Sequence, residues 1–238
     1  MGGGGAGEAE VGGPLKLGIL KTGQPPQSTI AEFGTYPQMF QRLLGPDAYD
    51  YSIYAVDEGE LPSSPTACDA WLITGSSAGV YDPLPWIEPL MAFLRAAKGA
   101  PMVGICFGHQ IIAQAMGGRV EKYPGGWSVG PTPYDFDGET LTLNAWHQDQ
   151  VVEKPAQAKV IASNDFCANA GLLYGDRAFT VQAHPEFRDD FIDGLIRTRG
   201  RGLVPDPLLD DAVARLDTPL QDRAIANRIA DFFKHPRG

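Results

Sequence analysis

Residues 102–118 read MVGICFGHQIIAQAMGG, and this stretch decides the fold. Met102-Val103-Gly104-Ile105 is a short apolar run of the kind that forms a buried strand. It stops at Cys106, a helical stretch over 108–116 begins almost at once, and Gly117-Gly118 closes it. The junction, Gly104-Ile105-Cys106-Phe107-Gly108, is a G-x-C-x-G, the thiol counterpart of the nucleophile elbow. A nucleophile on so sharp a turn needs neighbours without side chains, because the backbone there is tight and strained. The helix N-terminus beyond it favours thiolate over thiol. The N–H of Phe107 would point to where an oxyanion forms. Alone, the pattern leaves two readings open, since a lone cysteine is commonly a small buried hydrophobe.

A second segment, Val181-Gln182-Ala183-His184-Pro185-Glu186-Phe187, narrows the choice. Residues i and i+2 of a strand point to one face, which predicts that His184 and Glu186 share a side, with Pro185 stiffening the link. A cysteine nucleophile needs a base within hydrogen-bond reach, and the base needs an orienting partner. Cys106, His184 and Glu186 supply these three parts in that order. By itself an H-x-E is more often an exposed pair, so the inference rests on both segments together. A zinc site from His109, His147, His184 and Glu186 is the competing use of these side chains. No two of them have the helical H-x-x-x-H spacing, and zinc would leave Cys106 without a role. No metal and no cofactor is expected.

Working outward, strands are expected at 15–20, 51–56 and 70–74, and helices at 35–44 and 86–97. The first helix would turn Met39, Phe40, Leu43 and Leu44 to the core, the second Ile87, Leu90, Met91 and Leu94. The strand at 70–74 is apolar throughout, as in a sheet covered on both faces. It runs into Gly75-Ser76-Ser77-Ala78-Gly79, which reads either as an ordinary glycine-rich turn or as a loop whose N–H groups face a ligand. Beyond the elbow, short strands are expected at 119–122, 128–134, 140–143 and 160–162, then a hairpin of 170–174 and 179–182. Helices at 189–199, 207–215 and 220–234 close the chain. The order predicts an α/β fold: a mostly parallel, doubly wound, flavodoxin-like sheet with helices on both faces and a small antiparallel extension. Ligands of such sheets bind beyond the carboxyl ends of the strands, where Cys106 and Gly75-Ser76 both fall.

The 238 residues, 43% of them hydrophobic, suit one larger α/β domain over 14–238. Residues 1–13, glycine-rich, read as a flexible tail with neither the cationic start nor the apolar core of a signal peptide. A net charge of -10, with no basic cluster, argues against nucleic acid or an anionic membrane as partner. No apolar run approaches a membrane span. Three scattered cysteines, Cys68, Cys106 and Cys167, without a C-x-x-C, point to a reducing, cytoplasmic setting. Cys68 and Cys167 are expected to be structural thiols, His109 a packing residue, and Trp71, Trp86 and Trp146 core.

The two motifs together resemble those of the class I (triad) glutamine amidotransferases. The C-x-G-H-Q elbow stands as Cys106-Phe107-Gly108-His109-Gln110, and the H-P-E motif as His184-Pro185-Glu186. The resemblance spans nearly all of 15–187. It implies Cys106 as nucleophile, His184 as base and Glu186 as orienter, with Gly75 and Phe107 giving the oxyanion-hole N–H groups. It implies that Gln110, Ser76, His147, Gln148 and Asp149 help hold the substrate, and that Trp127-Ser128 lies on the substrate-clamping strand. The family's G-G-P-x-S oxyanion loop is here Thr74-Gly75-Ser76-Ser77-Ala78, without the proline. The expected activity is hydrolysis of a γ-glutamyl amide, glutamine or a γ-glutamyl amine or peptide, as in stand-alone GMP-synthase-like members and γ-glutamyl peptidases. Two alternatives stay open: a glutaminase subunit feeding ammonia to a separate synthetase, and a binding module without catalysis.

Overall fold

The computed structural model describes residues 13–97 and 99–234, so the expected tail at 1–13 lies almost wholly outside the described residues. The chain begins with β1 (Lys16–Lys21), then α1 (Gln27–Phe33), α2 (Tyr36–Leu44) and β2 (Asp50–Ala55). β3 (Ala70–Ile73), α3 (Ile87–Ala96), β4 (Met102–Ile105) and α4 (Phe107–Ala115) follow. The antiparallel part comprises β5 (Arg119–Lys122), β6 (Ser128–Phe136), β7 (Glu139–His147) and β8 (Asp149–Glu153). β9 (Lys159–Ala162), β10 (Gly171–Leu173) and β11 (Ala178–Val181) return to the main sheet. α5 (Asp189–Leu195), a π-helical turn (Ile196–Gly200), α6 (Asp206–Ala214) and α7 (Asp222–Lys234) complete it.

Seven strands form the central sheet in the order β2-β1-β3-β4-β11-β10-β9. The first five in that order pair in parallel, and β10 runs antiparallel to both its neighbours. β5 pairs with β8 and β6 with β7, which is the expected antiparallel extension. Alternation in the central strands sends side chains to two cores. Trp71 and Ile73 of β3 meet Leu90 and Leu94 of α3 and Ile111 and Ile112 of α4 on one face. Leu72 of β3, with Leu17 and Ile19 of β1, meets Phe40 of α2 and Ile225, Ile229 and Phe233 of α7 on the other. A third core joins α5, α6 and the start of α2 to Val129 and Trp146 of the β6–β7 hairpin. Among the described residues no helix is long and apolar enough to cross a membrane.

The start of α2 is set by local chemistry. Gln38 Oε1 accepts from the Thr35 N–H at 2.8 Å, and the Thr35 hydroxyl accepts from the Gln38 N–H, a reciprocal cap. This fixes Tyr36 at the first helical position, where it is buried.

Several expectations are corrected. α1 lies where no helix was read, because only Thr29 of its seven residues is buried and it carries almost no apolar stripe. In α3 Phe93 is buried and Met91 only half-buried. In α2 Leu44 is only half-buried. The strand read at 140–143 extends to His147, and a further strand, β8, follows one residue later. The helix read at 189–199 is α-helical only to Leu195, then widens into the π turn.

Candidate active site

β4 ends against β11: the Cys106 N–H donates to the Val181 carbonyl at 2.9 Å. α4 starts at once, with the Gln110 N–H donating to the Cys106 carbonyl at 3.0 Å. Joining the two without a loop forces Cys106 to φ 52, ψ -103, a left-handed backbone that residues other than glycine rarely adopt. The glycines on either side are needed for space. A Cβ on Gly108 would run into the Ile73 carbonyl of β3, and one on Gly104 into the backbone of Gly108. Buried Cys106 therefore sits at the carboxyl end of the sheet, at the first turn of α4.

His184 and Glu186 lie beyond the end of β11, and their meeting comes from a turn rather than from strand alternation. The Phe187 N–H donates back to the His184 carbonyl at 3.3 Å, closing a turn over 184–187. Within it the His184 Nδ1–H donates to Glu186 Oε1 at 2.7 Å. Asn144 of β7 clasps this turn. Its carbonyl accepts from the His184 N–H at 2.8 Å, and its side-chain amide donates to the Phe187 carbonyl at 3.0 Å. The His184 ring lies flat on Phe187, and Cys106 lies close enough to act on its charge. Burial opposes a charged ring here, but the Glu186 carboxylate, the Cys106 sulfur and the hydrogen bonds to both outweigh it. They push His184 up to about 10, so it is an imidazolium at neutral pH. Gly75, just past β3, faces the same point: a Cβ there would touch His184 Cε1 and the Cys106 Cβ.

The thiol opens into a cavity of about 400 Å³. Of the residues expected to bind substrate, Ser76, Gln110, Trp127, His147, Gln148 and Asp149 line it. Ser128 does not; it opens β6 in register with His147, one residue beyond the Trp127 that does. Phe107 is packed in the core under Trp86, so only its backbone is available to the site. Trp146, expected in the core, is buried but also forms part of the cavity wall. Trp71 and Trp86 are core, Cys68 and Cys167 are buried free thiols, and His109 donates to the Thr180 hydroxyl at 2.8 Å inside the sheet layer. His109, His147, His184 and Glu186 do not converge, and among the described residues no three metal-ligating side chains do so.

His147 donates through Nδ1 to the Asp149 carbonyl at 3.2 Å. Burial pushes it down to about 4, with the His184 charge adding to the effect and the hydrogen bond opposing it. It is thus neutral, and its buried Nε2 has no partner among the described residues. Asp149 accepts from the Tyr81 hydroxyl at 2.9 Å, which ties the Gly75–Asp82 loop to the start of β8. Burial raises the Asp149 carboxyl, and the Tyr81 bond partly offsets that.

Four further residues at the site carry no motif of their own. Gln182 donates from Nε2 to Cys106 Sγ at 3.6 Å and is itself held by Gln110, whose Nε2 donates to Gln182 Oε1 at 3.1 Å. Tyr36 and Arg199 line the cavity from α2 and the π turn, and Tyr81 from the loop after β3. Only long-range packing brings these side chains to Cys106; a glutamine two residues before the H-P-E was the one visible hint.

Comparison with known proteins gives the family and the fold. The family model described as glutamine amidotransferase class-I matches residues 42–191, more than half of the chain. The chain is 26% identical over 242 residues to a glutamine amidotransferase-like protein of Schizosaccharomyces pombe, covering 91% of this chain and 97% of that one. It is 27% identical over 229 residues to gamma-glutamyl peptidase 4 of Arabidopsis thaliana, covering 87% and 91%. Its fold is similar to the crystal structure of a glutamine amidotransferase from Methylobacillus flagellatus, with TM-score 0.67, 21% identity, and 94% and 93% of the two chains covered. The chain belongs to the class-I glutamine amidotransferase family.

Proposed function

We propose that this chain hydrolyses γ-glutamyl amide bonds through a γ-glutamyl thioester on Cys106. The observation that carries this reading is the meeting of Glu186, His184 and Cys106 at one point, with a 2.7 Å carboxylate–imidazole bond orienting the ring beside the cysteine. The Cys106 thiolate adds to the γ-carbonyl carbon, and the carbonyl electron pair moves onto oxygen. The N–H groups of Gly75 and Phe107 receive that oxyanion. As the C–N bond breaks, the His184 imidazolium gives its proton to the departing amine. The neutral ring then takes a proton from water, which adds to the thioester. Collapse breaks the C–S bond, releasing glutamate and restoring the thiolate–imidazolium pair. Gln110, Ser76, Trp127, His147, Gln148 and Asp149 hold the glutamyl half. The similarity to a gamma-glutamyl peptidase supports a leaving amine larger than ammonia.

A second reading is ammonia delivery to a separate synthetase. It is favoured by exposed apolar side chains at the cavity rim, Tyr81 and Leu203, each about half exposed.

The test is amine release by the purified chain from glutamine and from a panel of γ-glutamyl amines and peptides, with Cys106→Ala as control. Turnover that depends on Cys106 is the expected result. If nothing turns over but a glutamine-analogue electrophile still labels Cys106, the synthetase reading replaces the first. Neither turnover nor labelling would sink both.

A further inference from the structure

The cavity above Cys106 does not end at its own wall. A second groove, of about 540 Å³, shares Ser76, Ser77, Ala78 and Arg199 with it and continues along residues 22–27. Glutamine needs no such space, because its leaving group is ammonia. Arg199 stands where the two hollows join.

Arg199 is set apart from its neighbours in two ways. Arg197 pairs with Asp193, and Arg201 with Asp206 and Asp210. Among the described residues Arg199 has no carboxylate partner, although this chain carries ten more acidic than basic charges. It also lies in the π turn that ends α5. Such π turns are rare and are frequent at functional sites.

The place of Arg199 relative to the chemistry follows from the aromatic contacts. Phe187 carries His184 on its face, and Tyr36 packs against Phe187 with centroids 5.8 Å apart. The buried Tyr36 hydroxyl lies beside the Arg199 guanidinium and within electrostatic reach of Cys106 and Glu186. Arg199 is therefore linked to His184 through Tyr36 and Phe187, and it stands where the catalytic cavity runs on into the second groove. Gln110, His147 and Asp149 line the catalytic cavity and not the second groove.

Resting on the hydrolase reading above, we propose that Arg199 binds a carboxylate on the leaving amine. The preferred substrates are then γ-glutamyl amino acids and short γ-glutamyl peptides that extend past Arg199 into the second groove. A guanidinium suits this task, since it presents paired donors to a carboxylate and stays charged at any working pH.

The test compares kcat/KM for γ-glutamylglycine and γ-glutamylglycinamide, which differ only in whether the leaving amine ends in a carboxylate. The wild-type chain is expected to prefer the carboxylate by about tenfold or more, the worth of one charge-assisted contact. Arg199→Gln is expected to abolish that ratio, and Arg199→Lys to keep part of it. The glutamyl α-carboxylate is common to both compounds, so an Arg199 that binds it instead would change both rates and leave the ratio alone. A ratio near one in the wild type, or one that Arg199→Gln does not move, overturns the proposal while leaving the hydrolase reading intact. Turnover of neither compound, nor of any other γ-glutamyl amide, removes the hydrolase reading and the proposal with it.

Discussion

Gln182 donates its side-chain amide to Cys106 Sγ at 3.6 Å, from a position with no exposure to solvent. A donor to sulfur lowers the free energy of the thiolate more than that of the thiol. Gln182→Met keeps the volume roughly and removes the donor. It is expected to slow alkylation of Cys106 at neutral pH, and kcat/KM with it, by about tenfold, the scale of a hydrogen bond to a charged group. An alkylation rate equal to that of the wild type would show the bond to be incidental.

The pH dependence of stability follows from His184. Its folded-state value is raised to about 10, above the ~6.5 of an unfolded histidine. Stability from the pair is thus fully present below about 6.5 and is lost as pH rises through 10. The thermal midpoint is expected to fall between pH 8 and pH 10.5, by about 2–4 °C for each kcal/mol lost. Glu186→Gln removes the largest influence that raises the ring, and its midpoint is expected to be lower at pH 7 and flatter over that window. Equal slopes for the two chains would count against the ion pair.

Gly108 has no room for a side chain against the Ile73 carbonyl. Gly108→Ala is expected to cost about 1–3 kcal/mol in denaturant unfolding, as over-packed cores do, and to displace the turn that carries Cys106. Unchanged unfolding together with unchanged turnover would mean that the sheet yields more easily than its packing implies.

Tyr81→Phe deletes the bond to Asp149 across the cavity mouth. Because Tyr81 is half exposed, the loss is that of an ordinary hydrogen bond, about 0.5–1.5 kcal/mol. KM is expected to rise about two- to tenfold with kcat little altered. An effect confined to kcat would instead place Tyr81 in the chemical step.

How far the sequence could be read depended on whether the cause was local. The elbow was legible because strand, cysteine and helix are contiguous and the glycines answer to close approach. The helix at 36–44 was legible from its apolar spacing and its glycine stop. His184 and Glu186 were found for a partly wrong reason, since a turn clasped by Asn144 brings them together and strand alternation does not. Ser128 was placed by analogy and falls outside the cavity wall. Trp146, expected in the core, proves to be both core and wall. Tyr36 and Arg199 could not be read at all. One is an ordinary helix-start aromatic and the other an ordinary helical arginine until the packing of α2 and the π turn sets them on the cavity that holds Cys106.

The pairing of β4 with β11 also governs the order of events as the chain folds. Cys106 and Gln182 are 76 residues apart in sequence and adjacent in space. Their contact needs the intervening β5–β10 segment looped out and the two parallel strands zipped in register. Such distant pairings form slowly, because the loss of chain freedom precedes the contacts that offset it. Helical signal can therefore return early after dilution from denaturant, while reactivity at Cys106 returns only with the slowest phase. The active site is in this sense a clock on the closure of the sheet, and a chain stalled with β11 undocked would retain its thiol and lack everything that gives the thiol a function.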